Sequence, residues 1–381
     1  MRRANKAILT SFLGVFCVFV VNAPADWPVF RGNALQTGVA ETTLPDKLEI
    51  LWRFPAKDAI EGSAAIADGT VYFGDQDGNV FALNLADGKQ KWTYKAGAPI
   101  KVGAAVNGNS VYIGDEDGKF HCLDIKNGQK RWIFDTQADI TSAPNFDGNK
   151  VLFGGGDEML YCLDKDKGPA KDKKGDDKPL WSFKVPGGPV LGSPAVINNR
   201  TFVAGCDSAL HVIDTTNGKE IQEVQLNGQV GATPALAGDF LYIGTMSNDV
   251  EAINWKDGKI VWTYQPQKRP QPFFASVAIT PTLVLAGSRD KCLHAIDRQS
   301  GKMKWVFTTG GKVDSSPVVA GKRVYFGSND SKLYVVDLES GKEVQSIVLG
   351  KKGVTASAAV SGERLVIGTI DGDLICLGKK K

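Results

Sequence analysis

Three histidines, a handful of cysteines and several acidic turns are the residues of this chain best suited to chemistry. Imidazoles and thiolates ligate metals, and a histidine moves protons near neutral pH. His121, His211 and His294 hold one equivalent position in alternate members of a repeat series, where other members place Phe81, Tyr161 and Tyr334. Packed sheets lie about 10 Å apart, so histidines two repeats apart cannot share a metal, and they read as aromatic-sized fillers. The same spacing parts Cys122 from Cys162, whereas a disulfide needs Cα atoms within about 7 Å. With Cys206, Cys292 and Cys376 they make an odd set without a disulfide framework. Asp75-Gln76-Asp77-Gly78-Asn79 and Asp115-Glu116-Asp117-Gly118 are similar to calcium loops. They lack the bidentate glutamate and flanking helices, and Asp-Gly suits a hairpin turn. The sequence contains no G-x-S-x-G, Gly-rich phosphate loop or zinc-spaced cluster. No catalytic, cofactor-binding or metal-binding residue is expected.

The elements around these residues repeat. A unit of the form V-Y-F-G, tight loop, L-Y-A-L-D, then G-K-x-x-W recurs eight times. The glycine read as ending its second strand falls at Gly74, Gly114, Gly154, Gly205, Gly244, Gly287, Gly327 and Gly368, at spacings of 40, 40, 51, 39, 43, 40 and 41. Each unit reads as four short strands with Asp68-Gly69-like and Asp77-Gly78-like pairs in type I′ turns. Four-stranded units at this period predict an all-β, eight-bladed β-propeller of antiparallel blades. The run from Lys165 to Pro179 is read as a solvated loop that lengthens repeat three. Repeat eight stops at Leu377-Gly378 without a fourth strand, and Ile50-Leu51-Trp52-Arg53-Phe54 looks like that missing strand. An N-terminal strand completing the last blade would close the ring and leave no unpaired edge.

A size correlation supports this alignment. Repeats with Ala82, Cys122, Cys162, Ala252, Ala295 and Cys376 at the small third-strand position carry Trp92, Trp132, Trp181, Trp262, Trp305 and, by closure, Trp52. Val212 and Val335 go instead with Gln222 and Gln345. An indole needs room that a β-branched neighbour would fill.

The N-terminus reads as a leader. Arg2, Arg3 and Lys6 precede an apolar run from Ala7 to Val21, and Ala23-Pro24-Ala25 is a small-x-small cleavage pattern. Residues 1–25 are thus expected to be a signal peptide, 26–47 an N-terminal extension and 48–381 a single propeller domain. The apolar run is shorter than the roughly 20 residues that span a bilayer, so the mature chain is expected to carry no transmembrane span. Phe16 stands before Cys17, where a lipobox wants a small residue. The net charge of +3 equals the leader's three positive charges, so the mature chain is formally neutral. That argues against nucleic acid as a partner.

Ala82-x-Asn84-x-x-x-Gly88-x-x-x-Trp92 resembles the tryptophan-docking motif of quinoprotein-type (PQQ-like) propeller repeats, in which the indole stacks on the neighbouring blade. Asp26-Trp27-Pro28-x-Phe30-Arg31-Gly32-Asn33 looks like the N-terminal signature of exported PQQ-like repeat proteins. The resemblance covers essentially the whole mature chain and implies the fold more strongly than any chemistry. One branch of that family, the quinoprotein alcohol dehydrogenases, holds PQQ and a metal ion in the propeller channel and carries two adjacent cysteines. No Cys-Cys pair occurs here. The chain is more similar to the non-enzymatic scaffold branch typified by BamB.

The resemblance therefore implies a non-catalytic, cell-envelope scaffold that is monomeric, has other envelope proteins as partners and uses no cofactor. The alternatives are a small PQQ-dependent oxidoreductase using calcium and a ligand-sensing or carbohydrate-binding propeller. Seven of the eight connections between repeats are short; the one from Gln265 to Phe274 is long and holds three prolines. Lys268, Arg269 and Phe273 are its candidate exposed contacts, with Phe274 read as a core filler equivalent to Val230 and Val313.

Overall fold

A computed structural model describes residues 26–380. The proposed leader, 1–25, lies outside the described residues. The described residues form eight blade sheets of four antiparallel strands, one of them extended by a short parallel strand, and one small extra hairpin, with no helix long and apolar enough to cross a membrane. Blade one comprises Ala65–Ala67, Thr70–Gly74, Asn79–Asn84 and Gln90–Lys95, and the pattern repeats around the ring. The inner strands are almost wholly buried and rich in Val, Ile, Leu and Phe, whereas the outer fourth strand alternates exposed and half-buried residues. That alternation is the mark of a sheet with one face toward water.

The ring closes as the sequence predicts. Glu49–Pro55 pairs antiparallel with Asp373–Gly378, and Trp52 stands opposite Cys376. The other size-matched pairs are likewise direct cross-strand neighbours, including Ala82 with Trp92, Cys122 with Trp132, Val212 with Gln222 and Val335 with Gln345. All five cysteines of the described chain are free thiols. Burial pushes the Cys122 and Cys376 thiols up to about 11 and Cys162 to about 12, so they behave as small core residues.

The blade glycines mark close approaches. A Cβ on Gly74 would fall 2.3 Å from Ile100 of the next blade, and one on Gly368 would fall 2.4 Å from Ile60 across the closure. In blade four the second strand ends at Ala204, not Gly205. The Val230 amide donates to Gly205 O just as the Ile100 amide donates to Asp75 O, so Gly205 is the residue after the strand. The corrected spacings are 50 (154 to 204) and 40 (204 to 244).

Two local expectations are also revised. Asp68 and Gly69 both have positive φ (46° and 67°), as a type I′ turn requires. Asp77 does not; only Gly78 is left-handed, in a four-residue loop where Asp75 Oδ1 accepts the Asn79 amide. The run 165–179 is not wholly loop. Ala170–Lys171 pairs with Asp177–Lys178 as a small exposed hairpin, because Asp172 and left-handed Gly175 make a tight turn.

Candidate functional site

The segments that lead into the first strands line a central channel, and each blade places an equivalent residue there, two positions before its first strand. In order these are Ser63, Gly103, Ala143, Ser193, Thr233, Ser276, Ser316 and Ser357. The hydroxyls form a belt. Ser193 Oγ accepts the Ala143 amide, Thr233 Oγ1 that of Ser193, Ser276 Oγ that of Thr233, Ser316 Oγ that of Ser276 and Ser357 Oγ that of Ser316, at 2.8–3.0 Å. Each bond locks one blade to the next. The cavity is about 190 Å³, with Phe30 and Phe274 in its wall. At its mouth Lys101 pairs with Glu116 at 2.5 Å, and Arg289 pairs with Asp314 at 2.9 Å while lying 3.8 Å over the Phe274 ring.

Phe30 belongs to the N-terminal extension, whose role is larger than the sequence suggests. Residues 26–40 walk around the ring along the first strands. Trp27 bridges Ile66 of blade one, and Pro28 O accepts the Val106 amide of blade two. Ala34 O accepts Asn145 Nδ2 of blade three and the Val196 amide of blade four. Leu35, Thr37 and Gly38 carbonyls accept the amides of Leu236, Ile279 and Val319, and Val39–Ala40 runs parallel to Val319–Ala320 of blade seven. The strap thus engages seven blades before the closing strand completes the eighth.

Its centre is Arg31, 1% exposed, whose Nη2 donates to Val277 O at 3.1 Å and Pro317 O at 2.5 Å. Burial lowers its pKa to about 9. Gly38 is obligatory beside it, because a Cβ there would lie 1.9 Å from Arg31 Nη2. Gly32 fits under Trp27, because a Cβ there would lie 2.8 Å from the indole. The Trp27–Gly32 motif is therefore the lock of the strap.

The docking tryptophans act between blades. Trp52 Nε1 donates to Leu85 O, Trp92 to Ile125 O, Trp181 to Thr215 O, Trp262 to Arg298 O and Trp305 to Leu338 O, at 2.9–3.2 Å. Trp132 makes the same stack, against Gly168, but its Nε1 has no partner among the described residues. The two glutamines substitute hydrogen bonds for stacking. Gln345 brackets the amide and carbonyl of Leu48 at 3.0 and 2.8 Å and so anchors the chain just before the closing strand. Gln222, with its amide turned to satisfy both atoms, bonds Trp255 O and Gly258 N.

The long connection needs a correction. Lys268 and Arg269 are exposed, but Phe273 is 0% exposed and belongs to the core. Its amide donates to Thr245 O and its ring packs on Gly244, as Val313 does on Gly287. The assignment of the two phenylalanines was one residue out of phase. Phe273 is the filler, and half-buried Phe274 faces the channel under Arg289. Pro residues at 270 and 272 gave no alternation from which the phase could be read.

The third-strand row holds the histidines, each buried and bonded to an aspartate of its own hairpin. His121 meets Asp115 at 2.9 Å, His211 meets Asp207 at 2.7 Å and His294 meets Asp290 at 3.0 Å. Tyr161 and Tyr334 donate to Asp157 and Asp330 at 2.5 and 2.6 Å in the same way. Blade five breaks the row with Glu251. It is 0% exposed; Oε1 accepts the Asn227 amide at 2.9 Å, and Oε2 has no partner. Burial, with Asp249 adding like charge, raises its pKa to about 7.

Eight four-stranded blades, inter-blade indole docks and strand-swapped closure define a quinoprotein-type β-propeller. The family model described as outer membrane protein assembly factor BamB matches residues 44–169 and 170–381, and the chain belongs to that family. Among curated proteins it is similar to BamB of Shewanella oneidensis, at 23% identity over 38% of this chain and 40% of that protein. It is similar to BamB of Burkholderia pseudomallei at 24% over 47% and 48%. A quinohemoprotein alcohol dehydrogenase of Comamonas testosteroni matches at 26% over 41% of this chain and 23% of the enzyme. The chain thus spans less than half the length of these curated relatives. Among solved structures, BamB from Moraxella catarrhalis superposes with a TM-score of 0.74 at 18% identity, covering 88% of this chain and 98% of that one. The Comamonas dehydrogenase gives 0.78 at 14%, covering 94% and 81%. At such identities the superpositions establish the fold alone, and they do not separate the scaffold from the enzyme.

The channel's own residues bear on that choice. PQQ is a planar tricarboxylate and needs uncommitted cations. Lys101 and Arg289 are both paired with carboxylates, and the channel wall adds two acidic side chains, Glu61 and Asp314, to its hydroxyls, glycines, aliphatic residues and two phenylalanines, so among the described residues no free cation faces a tricarboxylate there. This donor set does not fit the quinone.

Proposed function

We propose that the chain is an exported, non-catalytic scaffold of the cell envelope that binds other envelope proteins, in the service of outer-membrane protein assembly. The observation that carries this reading is the strap. The chain's own residues 26–40 bond along the first strands of seven blades, and Phe30 of this strap stands in the wall of the channel in which a cofactor-using propeller would place its reactive group. Binding is then left to the loops, and the exposed Lys268–Arg269 tip, held by flanking prolines, is the candidate contact. Envelope location rests on the leader-like N-terminus and on the family. The residues expected to matter for partners are Lys268 and Arg269; Phe273 supports them from beneath.

One observation favours a second reading, a small polyhydroxylated ligand in the channel. Five hydroxyls of the belt and Phe274 line it. The test of the non-catalytic reading is reconstitution. The purified mature chain, given PQQ and calcium, is expected to oxidise alcohols or sugars in a dye-linked assay no faster than a quinone-free control. Turnover above that control would replace the scaffold with a small quinoprotein.

A further inference from the structure

We propose that Asp290, Cys292 and His294 form a binding site for a borderline-soft divalent cation, with zinc as the natural occupant. The three side chains belong to one hairpin of blade six, at alternate positions. The carboxylate, thiol and imidazole ligand atoms lie within 4.8 Å of one another. Cys292 and His294 fall on the same face of the strand because side chains alternate. Tetrahedral zinc ligands with bonds of about 2.0–2.3 Å sit roughly 3.5 Å apart, so closure requires inward movements on the order of 1 Å.

The orientation of each donor suits a metal. Asp290 Oδ1 is held by the Cys292 amide at 2.9 Å, which aims Oδ2 at His294 Nε2, 3.0 Å away. The other imidazole nitrogen, Nδ1, faces Tyr264 Oη at 3.0 Å. A metal at Nε2 would take the place of the proton that Nε2 shares with Asp290, leaving the ring proton on Nδ1 to donate to that phenol, the arrangement in which an outer partner fixes a ligating imidazole. Cys292 Sγ has only weak neighbours, Thr308 Oγ1 at 3.6 Å and Asp290 O at 3.8 Å. Binding replaces the thiol proton with the metal ion and releases one proton to solvent. Three protein donors leave one tetrahedral position for water.

The comparison within the ring isolates what is special. Blades two and four also pair Asp with His, but they place Lys119 and Ala209 where blade six has Cys292. In blade four both nitrogens of His211 are taken by carboxylates, Asp207 at 2.7 Å and Glu220 at 2.6 Å. Among the described residues no thiol stands beside them. The Asp–His contact alone is a packing brace; the thiol added to it makes a donor set that matches zinc.

The site lies at the foot of the long connection. The Phe273 ring packs edge-on against His294 at 5.5 Å, and Ser288 Oγ donates to Gln271 O. A bound ion would therefore stiffen the base from which Lys268 and Arg269 project.

Cobalt provides the test. Chelator-stripped, reduced mature protein is titrated with Co²⁺ and then back-titrated with Zn²⁺. The expected result is a thiolate-to-cobalt charge-transfer band that saturates at a single equivalent and is displaced by zinc. C292S, at a half-exposed position, should melt like the metal-free parent, lose the band and bind zinc at least tenfold more weakly against a chromophoric chelator. Tyr264→Phe should keep the band and weaken zinc roughly tenfold through loss of the outer partner. No band in the parent protein, a band that survives in C292S, or equal zinc affinity in the two proteins would overturn the site.

Discussion

Deleting Asp26–Phe54 is expected to turn a cooperatively folding protein into an aggregating one. The deletion removes the fourth strand of blade eight and exposes the edge of Asp373–Gly378, whose Leu374, Ile375, Cys376 and Leu377 are fully buried in the intact ring. An unpaired apolar edge is a template for pairing between molecules. The same deletion removes Trp52, which stacks on Gly88 and bonds Leu85 O, and so opens the junction between blades eight and one. Trp52 is partly buried, so its loss adds to the cost of the lost strand pairing without reaching that of a core aromatic. The strap goes too, with its bonds to seven blades. Thermal unfolding with light scattering reads the outcome. A soluble truncation that unfolds cooperatively near the parent's midpoint would sink the closure account.

The second large effect is a pH dependence centred on Glu251. Its folded pKa, about 7, lies above the ordinary glutamate value of 4.5. Between those values the folded state binds the proton more tightly than the unfolded state, so stability is greatest below the lower value. It falls as pH rises toward about 7 and is flat, with the full penalty present, above that. A shift of this size corresponds to roughly 3 kcal/mol. Glu251→Gln keeps an acceptor for the Asn227 amide and cannot ionise. The variant should match the parent near pH 4 and exceed it by up to roughly 3 kcal/mol at pH 8. Urea unfolding of both proteins across that range measures the difference, in which all other titrations cancel. A difference that does not change with pH would remove Glu251 as the cause.

The ring was legible because its constraints repeat. The pairing of Ala82 with Trp92 and of Val335 with Gln345 could be inferred from size alone, since each pair is a direct cross-strand contact seen eight times over. Closure followed from Trp52 completing that series. What occurs once was harder to read. The strap has no periodicity, and Arg31 gains its meaning only from the carbonyls of Val277 and Pro317, some 250 residues or more away. In 265–274 the prolines erase the alternation that would separate Phe273 from Phe274. Glu251 went unnoticed because a carboxyl at an aromatic position fits no packing rule; it carries an unmet acceptor instead. The spacing between blades keeps His121, His211 and His294 from sharing a metal. That reason does not reach three donors within one hairpin.

Recovery of partners from the envelope tests the central claim most directly. The tagged chain, solubilised at native abundance, should come out in stable association with other envelope proteins. A Lys268→Ala/Arg269→Ala variant with an unchanged melting midpoint should lose that association, because these exposed side chains carry contacts rather than packing. A chain recovered alone from both preparations, or one whose partners ignore the loop change, would contradict a scaffold that binds through this tip.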